Sequence, residues 1–281
     1  MKMVSVIIVN YNTAELSLRC IRSVWQHTPD AGVEVILVDN GSTEPGIGQV
    51  KTAFPQVQLI RSEENMGFGR AVNLAAQAAT GKYLFLLNPD CQLQGDVIGT
   101  LYQFYEQHGQ ALKAGCLGVP LYDAAMNPIH SYEQFPRLWP YLGHKFRSLL
   151  GLAGPQQQVA LGSRSEMPVD YITGADLFLP RQLFEAFGGF DPGFFMYFEE
   201  TDLQWRMHQQ GLQSYLVAAP ALVHEQGSSH SSDASLQVMY FDSMLYYMRK
   251  HHSRGAYHLF RYLWILLDLR TVWLKYARRR S

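Results

Sequence analysis

Short apolar runs alternate with amphipathic stretches along roughly the first 120 residues. Two of the runs, Val4–Val9 and Val33–Val38, are continuous and rich in β-branched residues, as expected for strands buried on both faces. Strands are predicted at 4–9, 33–38, 57–61, 83–87 and 116–119, and helices at 14–26, 67–79 and 96–108. Asn12 and Glu15 have capping-box spacing at the start of the first helix. The alternation predicts βαβ units around a mainly parallel sheet, which is an α/β fold.

The remainder of the chain is less regular. Residues 131–167 are rich in Pro, Gly, Gln and aromatic residues, and we interpret them as a loop or a short helical excursion over a site. Strands are then predicted at 169–172 and 214–217, and helices at 181–187, 200–210, 235–251 and 256–277. We therefore divide the chain into a domain at residues 1–230 and a C-terminal helical region at 231–281.

The composition excludes several classes of protein. With 281 residues, 47% of them hydrophobic and 17% charged, the chain fits one large globular domain with an appendage. Its three cysteines are widely spaced, so neither a disulfide framework nor a zinc site is predicted. The first apolar run is too short for a signal peptide, and no stretch is long and apolar enough to span a bilayer. We therefore expect a cytoplasmic protein.

The net charge of −1 conceals an asymmetry between the two parts of the chain. Residues 249–281 carry nine Lys or Arg and one acid, a sum of +8, and the rest carries 14 bases and 23 acids, a sum of −9. A basic, Trp- and Leu-rich helix is typical of a membrane interface, although it could equally pack on the domain or on a second copy. Nucleic acid is a less favoured partner, because the basic segment is short and largely apolar.

Polar residues directly follow three of the predicted strands, at 10–12, 39–42 and 88–90. The carboxyl ends of parallel strands meet at one edge of the sheet, where such sheets bind ligands. Asp90 at that edge is suited to holding a divalent cation between two phosphates. Glycines at 67 and 69 open a helix whose N-terminus would attract anions. Together these features predict a nucleotide site at this edge.

Glu199, Glu200 and Asp202 come directly after an aromatic run. Aromatic surroundings disfavour the charged form of a carboxylate, a cost that suits a catalytic base or a metal ligand. The aromatic residues expected to raise the pKa of the base are Phe194, Phe195, Tyr197 and Phe198. The alternative is a solvated helix N-terminus, where acids offset the helix dipole. His224, after the last predicted strand, is either a ligand better suited to Mn²⁺ than to Mg²⁺ or a structural residue.

These motifs, in this order, resemble those of family 2 glycosyltransferases with a GT-A fold, particularly the rhamnosyltransferase-like members. The motifs that carry the resemblance are VSVIIVNYN at 4–12, VDNGS at 38–42, ENMGFGRAVNLA at 64–75, LLNPD at 86–90, GGFD at 188–191, FFMYFEETDLQWR at 194–206 and VH at 223–224. They cover about residues 3–230. The resemblance implies a GT-A domain followed by the helical extension.

The resemblance also implies roles for individual residues. The nucleotide-binding residues would be Asn10, Tyr11, Asn12, Asp39, Gly67, Phe68, Arg70, Asn73 and Asn88. Asp90 matches the last Asp of the family's metal-binding Asp-x-Asp motif, whose first Asp is replaced by Asn88 here. His224 matches the family's later metal ligand, so Asp90 and His224 would hold Mn²⁺ or Mg²⁺.

The catalytic base is where this chain departs from the family pattern. The family usually has Glu-Asp at this point, and its Asp deprotonates the acceptor hydroxyl. This chain has Glu199-Glu200, so Glu200 takes the role by position and Glu199 is the alternative. Asp202 and Arg206 are expected to orient the base and its helix, through an i,i+4 ion pair. One base facing the leaving group implies inversion at the anomeric carbon.

The activity implied is transfer of a sugar, with rhamnose favoured, from a dTDP- or UDP-linked donor to a hydroxyl of a glycan or lipid-linked acceptor. This would serve cell-surface polysaccharide synthesis, with residues 131–167 shaping the acceptor site. The enzyme would be peripheral at the inner face of the membrane, or a homodimer, through its C-terminal helix. Two alternatives are a non-catalytic nucleotide-sugar-binding module, because Glu200 departs from the pattern, and a sugar nucleotidyltransferase, which is disfavoured because NYNT after the first strand has no Gly.

Overall fold

The secondary structure comes from a computed structural model, which describes residues 3–28, 32–140, 143, 147, 161–225 and 233–267. Within these residues the strands are β1 (Val4–Asn10), β2 (Val33–Asn40), β3 (Gln58–Ser62), β4 (Tyr83–Leu87), β5 (Cys91–Leu93), β6 (Ala114–Gly118), β7 (Leu121–Tyr122), β8 (Tyr132–Glu133), β9 (Glu166–Val169), β10 (Tyr171–Ile172), β11 (Asp176–Pro180), β12 (Gln213–Val217) and β13 (Leu222–His224). The helices are α1 (Ala14–His27), α2 (Ile47–Ala53), α3 (Phe68–Ala78), α4 (Val97–His108), α5 (Arg181–Ala186), α6 (Glu199–Gln209), α7 (Asp233–His251) and α8 (Arg254–Leu267).

An eight-stranded sheet in the order β3-β2-β1-β4-β11-β6-β12-β9 forms the centre of the fold. The strands from β3 to β4 are parallel, β11 is antiparallel to both of its neighbours, and β12 is again parallel to β6. The predicted α/β fold with a mainly parallel sheet is therefore confirmed. The central strand β11 was not predicted, because its apolar run, Leu177–Leu179, is only three residues long and is followed by Pro180.

Several predicted boundaries differ from the structure. The single strand expected at 169–172 is two strands, β9 and β10, which belong to different sheets. The loop or helical excursion predicted at 131–167 falls partly outside the described residues, and its described start forms β8, which pairs with β10. The last predicted helix is described only as far as Leu267, so its predicted continuation to 277 lies outside the described residues.

Two hydrophobic layers lie on opposite faces of the large sheet. Along β1, Val6 and Ile8 belong to the layer that contains residues of α1 and α4. Ile7, between them, belongs to the layer that contains residues of α3 and α6. Successive strand residues point to opposite faces, so a continuous apolar run is what a sheet covered on both sides requires.

A third hydrophobic cluster joins the C-terminal helices to the aromatic run. Met244 and Tyr247 of α7 and Phe260 of α8 are buried with Phe194 and Phe198. This cluster holds both helices against the rest of the fold. The domain division at 230 stays a prediction, but α7 and the start of α8 pack on the preceding residues.

Helix α8 has a buried apolar face and an exposed one. Tyr257, Leu263 and Trp264 pack around Phe260, so much of the apolar surface that the sequence analysis assigned to a membrane interface lies against protein. The exposed large apolar residues of this helix are Leu259, Tyr262, Ile265 and Leu266. No helix among the described residues is long and apolar enough to cross a membrane.

Candidate functional site

A cavity of about 200 Å³ lies at the carboxyl ends of β1 and β4, and we call it the strand-end cavity. Its walls come from the ends of these strands, the start of α3, the loop before α6 and one face of α7. The sequence-predicted residues that line it are Tyr11, Asn12, Gly67, Phe68, Asn88 and Asp90. Residues separated by up to 79 positions in the sequence thus meet where the parallel strands end.

Asn12 does not cap α1, contrary to the sequence prediction. The backbone of Asn12 has a positive φ of 56°, and no side-chain hydrogen bond caps α1. Its side-chain oxygen instead accepts hydrogen bonds from the backbone amides of Thr43 and Glu44, at 2.8 and 3.1 Å. The Asn12 side chain therefore joins the loops that follow β1 and β2 and shapes the wall of the strand-end cavity.

Asn10 and Asp39 do not line the strand-end cavity. Asn10 is fully buried, and its amide donates hydrogen bonds to Asp39 at 3.2 Å and to Ser42 at 2.9 Å. Its side-chain oxygen accepts hydrogen bonds from Thr13 and Ser17. The sequence analysis expected both residues at the nucleotide, whereas the structure uses Asn10 to join the ends of β1 and β2 beneath the cavity.

Arg70 and Asn73 also differ from the sequence expectation. The Arg70 guanidinium donates two hydrogen bonds to the carbonyl of Pro192, at 3.0 and 2.8 Å. Asn73 donates to the carbonyl of Phe190 and accepts from its amide, at 2.8 and 2.9 Å. Neither residue lines the strand-end cavity, since both side chains hold the loop before α6 against α3.

Gly67 allows this loop to approach the start of α3. Its φ is +88°, and a Cβ at this position would lie 2.3 Å from the carbonyl oxygen of Phe195. The next amide, of Phe68, donates to that same carbonyl at 2.9 Å. Only glycine tolerates this backbone conformation and this contact.

Asp90 and His224 come together as predicted at one end of the strand-end cavity. His224 lies opposite Cys91 in the pairing of β13 with β5, which brings its Nε2 atom to 3.2 Å from Oδ1 of Asp90. Both Oδ1 of Asp90 and Nδ1 of His224 are buried without a hydrogen-bond partner. Buried polar atoms without partners are rare, and a carboxylate oxygen next to an imidazole suits a divalent cation.

Cys91 lies close to this pair but does not have the properties of a ligand. One potential ligand atom from each of Asp90, Cys91 and His224 can be chosen so that all lie within 4.8 Å of one another. Burial raises the pKa of the Cys91 thiol well above its ordinary value, and the thiol lies 3.6 Å from the carbonyl oxygen of Ala175, to which it donates. Asp90 and His224, whose oxygen and nitrogen atoms suit Mn²⁺ or Mg²⁺ better than a buried thiol does, are therefore the preferred candidate ligands.

A second cavity, of about 350 Å³, contains both candidate bases, and we call it the carboxylate cavity. Glu199 and Glu200 line it from the start of α6, and His224 and Asn88 line it as well. It shares Phe68, Asn88, Met196 and Tyr197 with the strand-end cavity. The two cavities therefore adjoin, and the candidate metal ligands and candidate bases border one cleft.

The backbone before α6 turns the two glutamates into this cleft. Tyr197 and Phe198 both have positive φ, 69° and 70°, which is unfavourable for residues with a Cβ. Both side chains line the carboxylate cavity, as expected for residues that desolvate a base. Phe194 instead lies in the third cluster, and Phe195 is 42% exposed beside the strand-end cavity.

Glu199 and Glu200 are electrostatically distinct. Burial, with a further contribution from the charge of Glu200, raises the pKa of Glu199 well above its ordinary value. Burial raises the pKa of Glu200 to about 7, and the charge of Glu133 adds to this effect. Glu199 is only 4% exposed and its Oε2 atom has no hydrogen-bond partner, whereas Glu200 is half-buried. Burial therefore favours the neutral form of Glu199, and at neutral pH Glu200 is close to its midpoint.

Asp202 connects the base-bearing helix to α7. It is fully buried, and Arg206 binds its Oδ2 at 2.8 Å, which is the predicted i,i+4 ion pair. Lys250 and His251 bind its Oδ1, at 2.7 and 2.6 Å. Burial alone would raise the pKa of Asp202, but hydrogen bonds from His251 and Lys250 and the charge of Arg206 lower it. The buried charge is thus compensated from both helices.

Some lining residues of the carboxylate cavity were not identified from the sequence. They are His130, Glu133, Tyr171 and Tyr240. They come from β8 and the turn before it, from β10 and from α7, and none belongs to a local motif. Only the pairing of two-residue strands and the packing of a distant helix bring them to Glu200.

Residues 5–151, a little more than half of the chain, match the model of the family described as Glycosyl transferase family 2. The chain belongs to glycosyl transferase family 2. It is 28% identical over 239 residues to an N-acetylglucosaminyl-diphospho-decaprenol L-rhamnosyltransferase of Mycobacterium tuberculosis, which covers 79% of this chain and 76% of the relative. It is 27% identical over 167 residues to rhamnosyltransferase WbbL of Escherichia coli, and the match covers 56% of this chain and 60% of the relative. The resemblance to rhamnosyltransferase-like family 2 members is confirmed.

Solved structures with the same fold confirm the GT-A prediction. The crystal structure of GalNAc-T7 with UDP, GalNAc and Mn²⁺ matches with a TM-score of 0.60 at 18% identity, over 88% of this chain. This family 2 chain spans about half of that protein, 48%. The structure of Staphylococcus aureus TarS residues 1–349 matches with a TM-score of 0.57 at 14% identity, over 91% of this chain and 74% of the other. The family match favours glycosyl transfer over the sugar nucleotidyltransferase alternative.

Proposed function

We propose that this chain is an inverting, divalent-cation-dependent glycosyltransferase that moves a sugar from a nucleoside diphosphate to an acceptor hydroxyl. The observation that supports this proposal is the meeting of two different groups in one cleft. Asp90 and His224 lie 3.2 Å apart on one side, with Nδ1 of His224 buried without a hydrogen-bond partner, and Glu199 and Glu200 have raised pKa values on the other. The first pair suits a polyanionic leaving group, and the second suits removal of a proton from a weak nucleophile.

The strand-end cavity would bind the nucleoside diphosphate. Asp90 and His224 would hold the cation, with Mn²⁺ favoured because one ligand is an imidazole. When bound, the cation supplies positive charge that offsets the charge of the departing diphosphate. Tyr11, Asn12 and Asn88 line the same cavity and would position the nucleotide beside this charge.

Glu200 is the proposed base. Burial and the charge of Glu200 both favour the neutral form of Glu199, whereas the pKa of Glu200, about 7, leaves it able to ionise at neutral pH. Glu200 would accept the proton of the acceptor hydroxyl as that oxygen attacks the anomeric carbon. A single base on the side opposite the diphosphate produces inversion.

The substrates are proposed from the named relatives. The mycobacterial relative is named for rhamnosyl transfer to N-acetylglucosaminyl-diphospho-decaprenol. We therefore favour a dTDP-rhamnose donor, with UDP-sugars as the alternative, and a polyprenyl-diphosphate-linked sugar as the acceptor. This activity would serve cell-surface polysaccharide synthesis at the cytoplasmic face of the membrane.

The exposed face of α8 is the proposed membrane contact. Tyr262 is 63% exposed and Ile265 is 41% exposed, on a helix from the basic part of the chain. Replacing both by Glu preserves the buried Phe260 and should reduce flotation with anionic vesicles. Undiminished flotation would exclude this contact, and conversion of a dimer to a monomer would instead assign the face to a second copy.

The proposed function is tested by a panel of nucleotide sugars with a short-chain N-acetylglucosaminyl-diphospho-lipid acceptor, with Mn²⁺ and with EDTA. We expect transfer only with the cation, and NMR of the product should show the anomeric configuration opposite to that of the donor. Retained configuration would contradict the single-base mechanism. Tight donor binding without turnover of any acceptor would favour the non-catalytic binding module.

A further inference from the structure

A third carboxylate enters the carboxylate cavity from the small sheet of β8 and β10. Glu133 lies directly opposite Tyr171 in that antiparallel pair and accepts a hydrogen bond from its hydroxyl at 2.9 Å. Nε2 of His130 lies 2.8 Å from the other carboxylate oxygen of Glu133. The side chains of Glu133 and His130 are each 34% exposed, and both line the cavity. The carboxylate is thus held in one orientation while it remains accessible.

The walls around Glu133 have the chemistry of a sugar-binding site. Tyr171, Tyr197, Phe198 and Tyr240 supply aromatic surface, to which a pyranose ring can present its C–H face. The Oε2 atom of Glu199 is buried without a partner and lines the same cavity. A buried oxygen in this state indicates a missing hydrogen-bond partner such as a ligand hydroxyl.

Glu133 is also electrostatically close to the proposed base. After burial, its charge is among the causes that raise the pKa of Glu200, and it likewise raises the pKa of Tyr171. Both side chains line the carboxylate cavity, so one ligand bound there can contact Glu133 and Glu200 together. On a sugar ring, hydroxyls on neighbouring carbons can make these two contacts.

We propose that Glu133, oriented by His130 and Tyr171, binds a hydroxyl of the acceptor sugar adjacent to the hydroxyl that Glu200 deprotonates. Glu133 is then a specificity-determining residue for acceptors with vicinal hydroxyls. This inference rests on the proposed function, because it assigns the acceptor side of the same cleft. The competing explanation is that Glu133 only braces β8 against β10.

The test compares Glu133→Gln with Tyr171→Phe in the full chain. Glu133→Gln keeps the shape of the side chain and removes its charge, whereas Tyr171→Phe removes one hydrogen bond of the brace and keeps the charge. A lost hydrogen bond to a charged group corresponds to about a tenfold change or more in affinity. We expect acceptor KM and calorimetric acceptor affinity to weaken by this factor in Glu133→Gln, with donor KM and donor binding unchanged.

The pH profile of kcat adds a readout that a purely structural role of Glu133 between β8 and β10 would not change. The titratable groups that line the cavity with Glu200 include Glu199 from α6, Glu133 and His130 from β8 and its turn, and Tyr171 from β10. Because the negative charge of Glu133 raises the pKa of Glu200, its removal should let kcat reach its plateau at lower pH. Glu200 and Glu199 remain in place in both variants, so the shift reports on Glu133 alone.

The outcomes separate this inference from the proposed function. Wild-type acceptor affinity and an unshifted pH profile in Glu133→Gln would overturn the inference, even if this variant melts at a lower temperature. Equal loss of acceptor affinity in both variants, together with an unshifted pH profile in Glu133→Gln, would assign the effect to the brace and would also overturn it. A wild-type chain that transfers no sugar would contradict the proposed function, and calorimetry with the lipid-linked acceptor would still test Glu133.

Discussion

The two cavities of the cleft are built in opposite ways. The strand-end cavity uses the last residue of β2 and the short polar segments that directly follow β1 and β4, and its candidate cation ligand Asp90 lies beside His224. The carboxylate cavity draws on α6, α7, β8 and β10, and its glutamates have raised pKa values. A cation needs oxygen or nitrogen atoms with free lone pairs, and the short polar segment at the end of a strand can provide such atoms. A base near neutral pH needs removal from water, which requires walls from several distant elements.

The largest expected effect tests the carboxylate cavity. Glu200→Gln removes the proposed proton acceptor while keeping its shape. We expect kcat to fall by about 10²–10⁴-fold, the range for general-base catalysis, with nucleotide-sugar affinity unchanged. Steady-state kinetics and donor calorimetry measure the two quantities separately.

Glu185→Gln is the matched control for this variant. Glu185 forms an exposed ion pair with Arg181 on α5, and such pairs contribute roughly 0–1 kcal/mol to stability. Its kcat should equal that of the wild type. Full activity in Glu200→Gln together with its loss in Glu199→Gln would transfer the role of base to Glu199.

The next effect tests the strand-end cavity. Asp90→Asn removes one charged ligand of the proposed cation site, so Mn²⁺-dependent affinity for the nucleoside diphosphate should weaken by at least about tenfold. Calorimetry with UDP and dTDP, with Mn²⁺ and with EDTA, measures this loss. Asp242→Asn, on the exposed surface of α7, is the control and should bind as the wild type does. An unaltered response to Mn²⁺ in Asp90→Asn would remove Asp90 from the site.

The smallest effect tests the connection between α7 and the base-bearing helix. Lys250→Met leaves the buried Asp202 with two side-chain partners, Arg206 and His251, instead of three. It also removes the ion pair between Lys250 and Asp191 at 2.5 Å. We expect the free energy of unfolding to decrease by about 1–3 kcal/mol, with kcat changing by only a few fold.

Chemical denaturation of Lys250→Met measures this decrease, and Arg249→Met is the control. Arg249 is the exposed neighbour of Lys250 on α7. If the two variants unfold at the same denaturant concentration, Lys250 does not anchor α7 to α6. A large loss of kcat with wild-type stability would instead indicate a direct role for Lys250 in the reaction.

Much of the N-terminal half was predictable from the sequence. Short apolar runs bounded by turn residues, such as Val4–Val9 and Tyr83–Leu87, are typical of strands covered on both faces, so β1, β2 and β4 followed from composition and length. Because parallel strands end at one edge, Tyr11, Asn88 and Asp90 were expected to meet, and they do. The helix that begins at Glu199 and the ion pair between Asp202 and Arg206 also followed from local spacing.

Other features depended on contacts between distant segments. The three apolar residues Leu177–Leu179 do not reveal that β11 lies antiparallel between β4 and β6, because pairing partners leave no local pattern. Asn10, Arg70 and Asn73 looked like ligand-binding residues, yet their hydrogen bonds are made inside the fold. The local sequence around a polar residue at the end of a strand is the same whether its side chain faces a cavity or the backbone of a distant loop.

The sequence by itself determined the α/β fold, the edge of the sheet that holds the strand-end cavity, and the family. Only the tertiary structure decided which polar groups remain without partners and which carboxylates are withdrawn from water. Glu133 and Tyr240 illustrate the reason, since they reach Glu200 through a two-residue strand pair and a C-terminal helix. Hydration and charge depend on every neighbour in space, whereas periodicity reports only on neighbours along the chain.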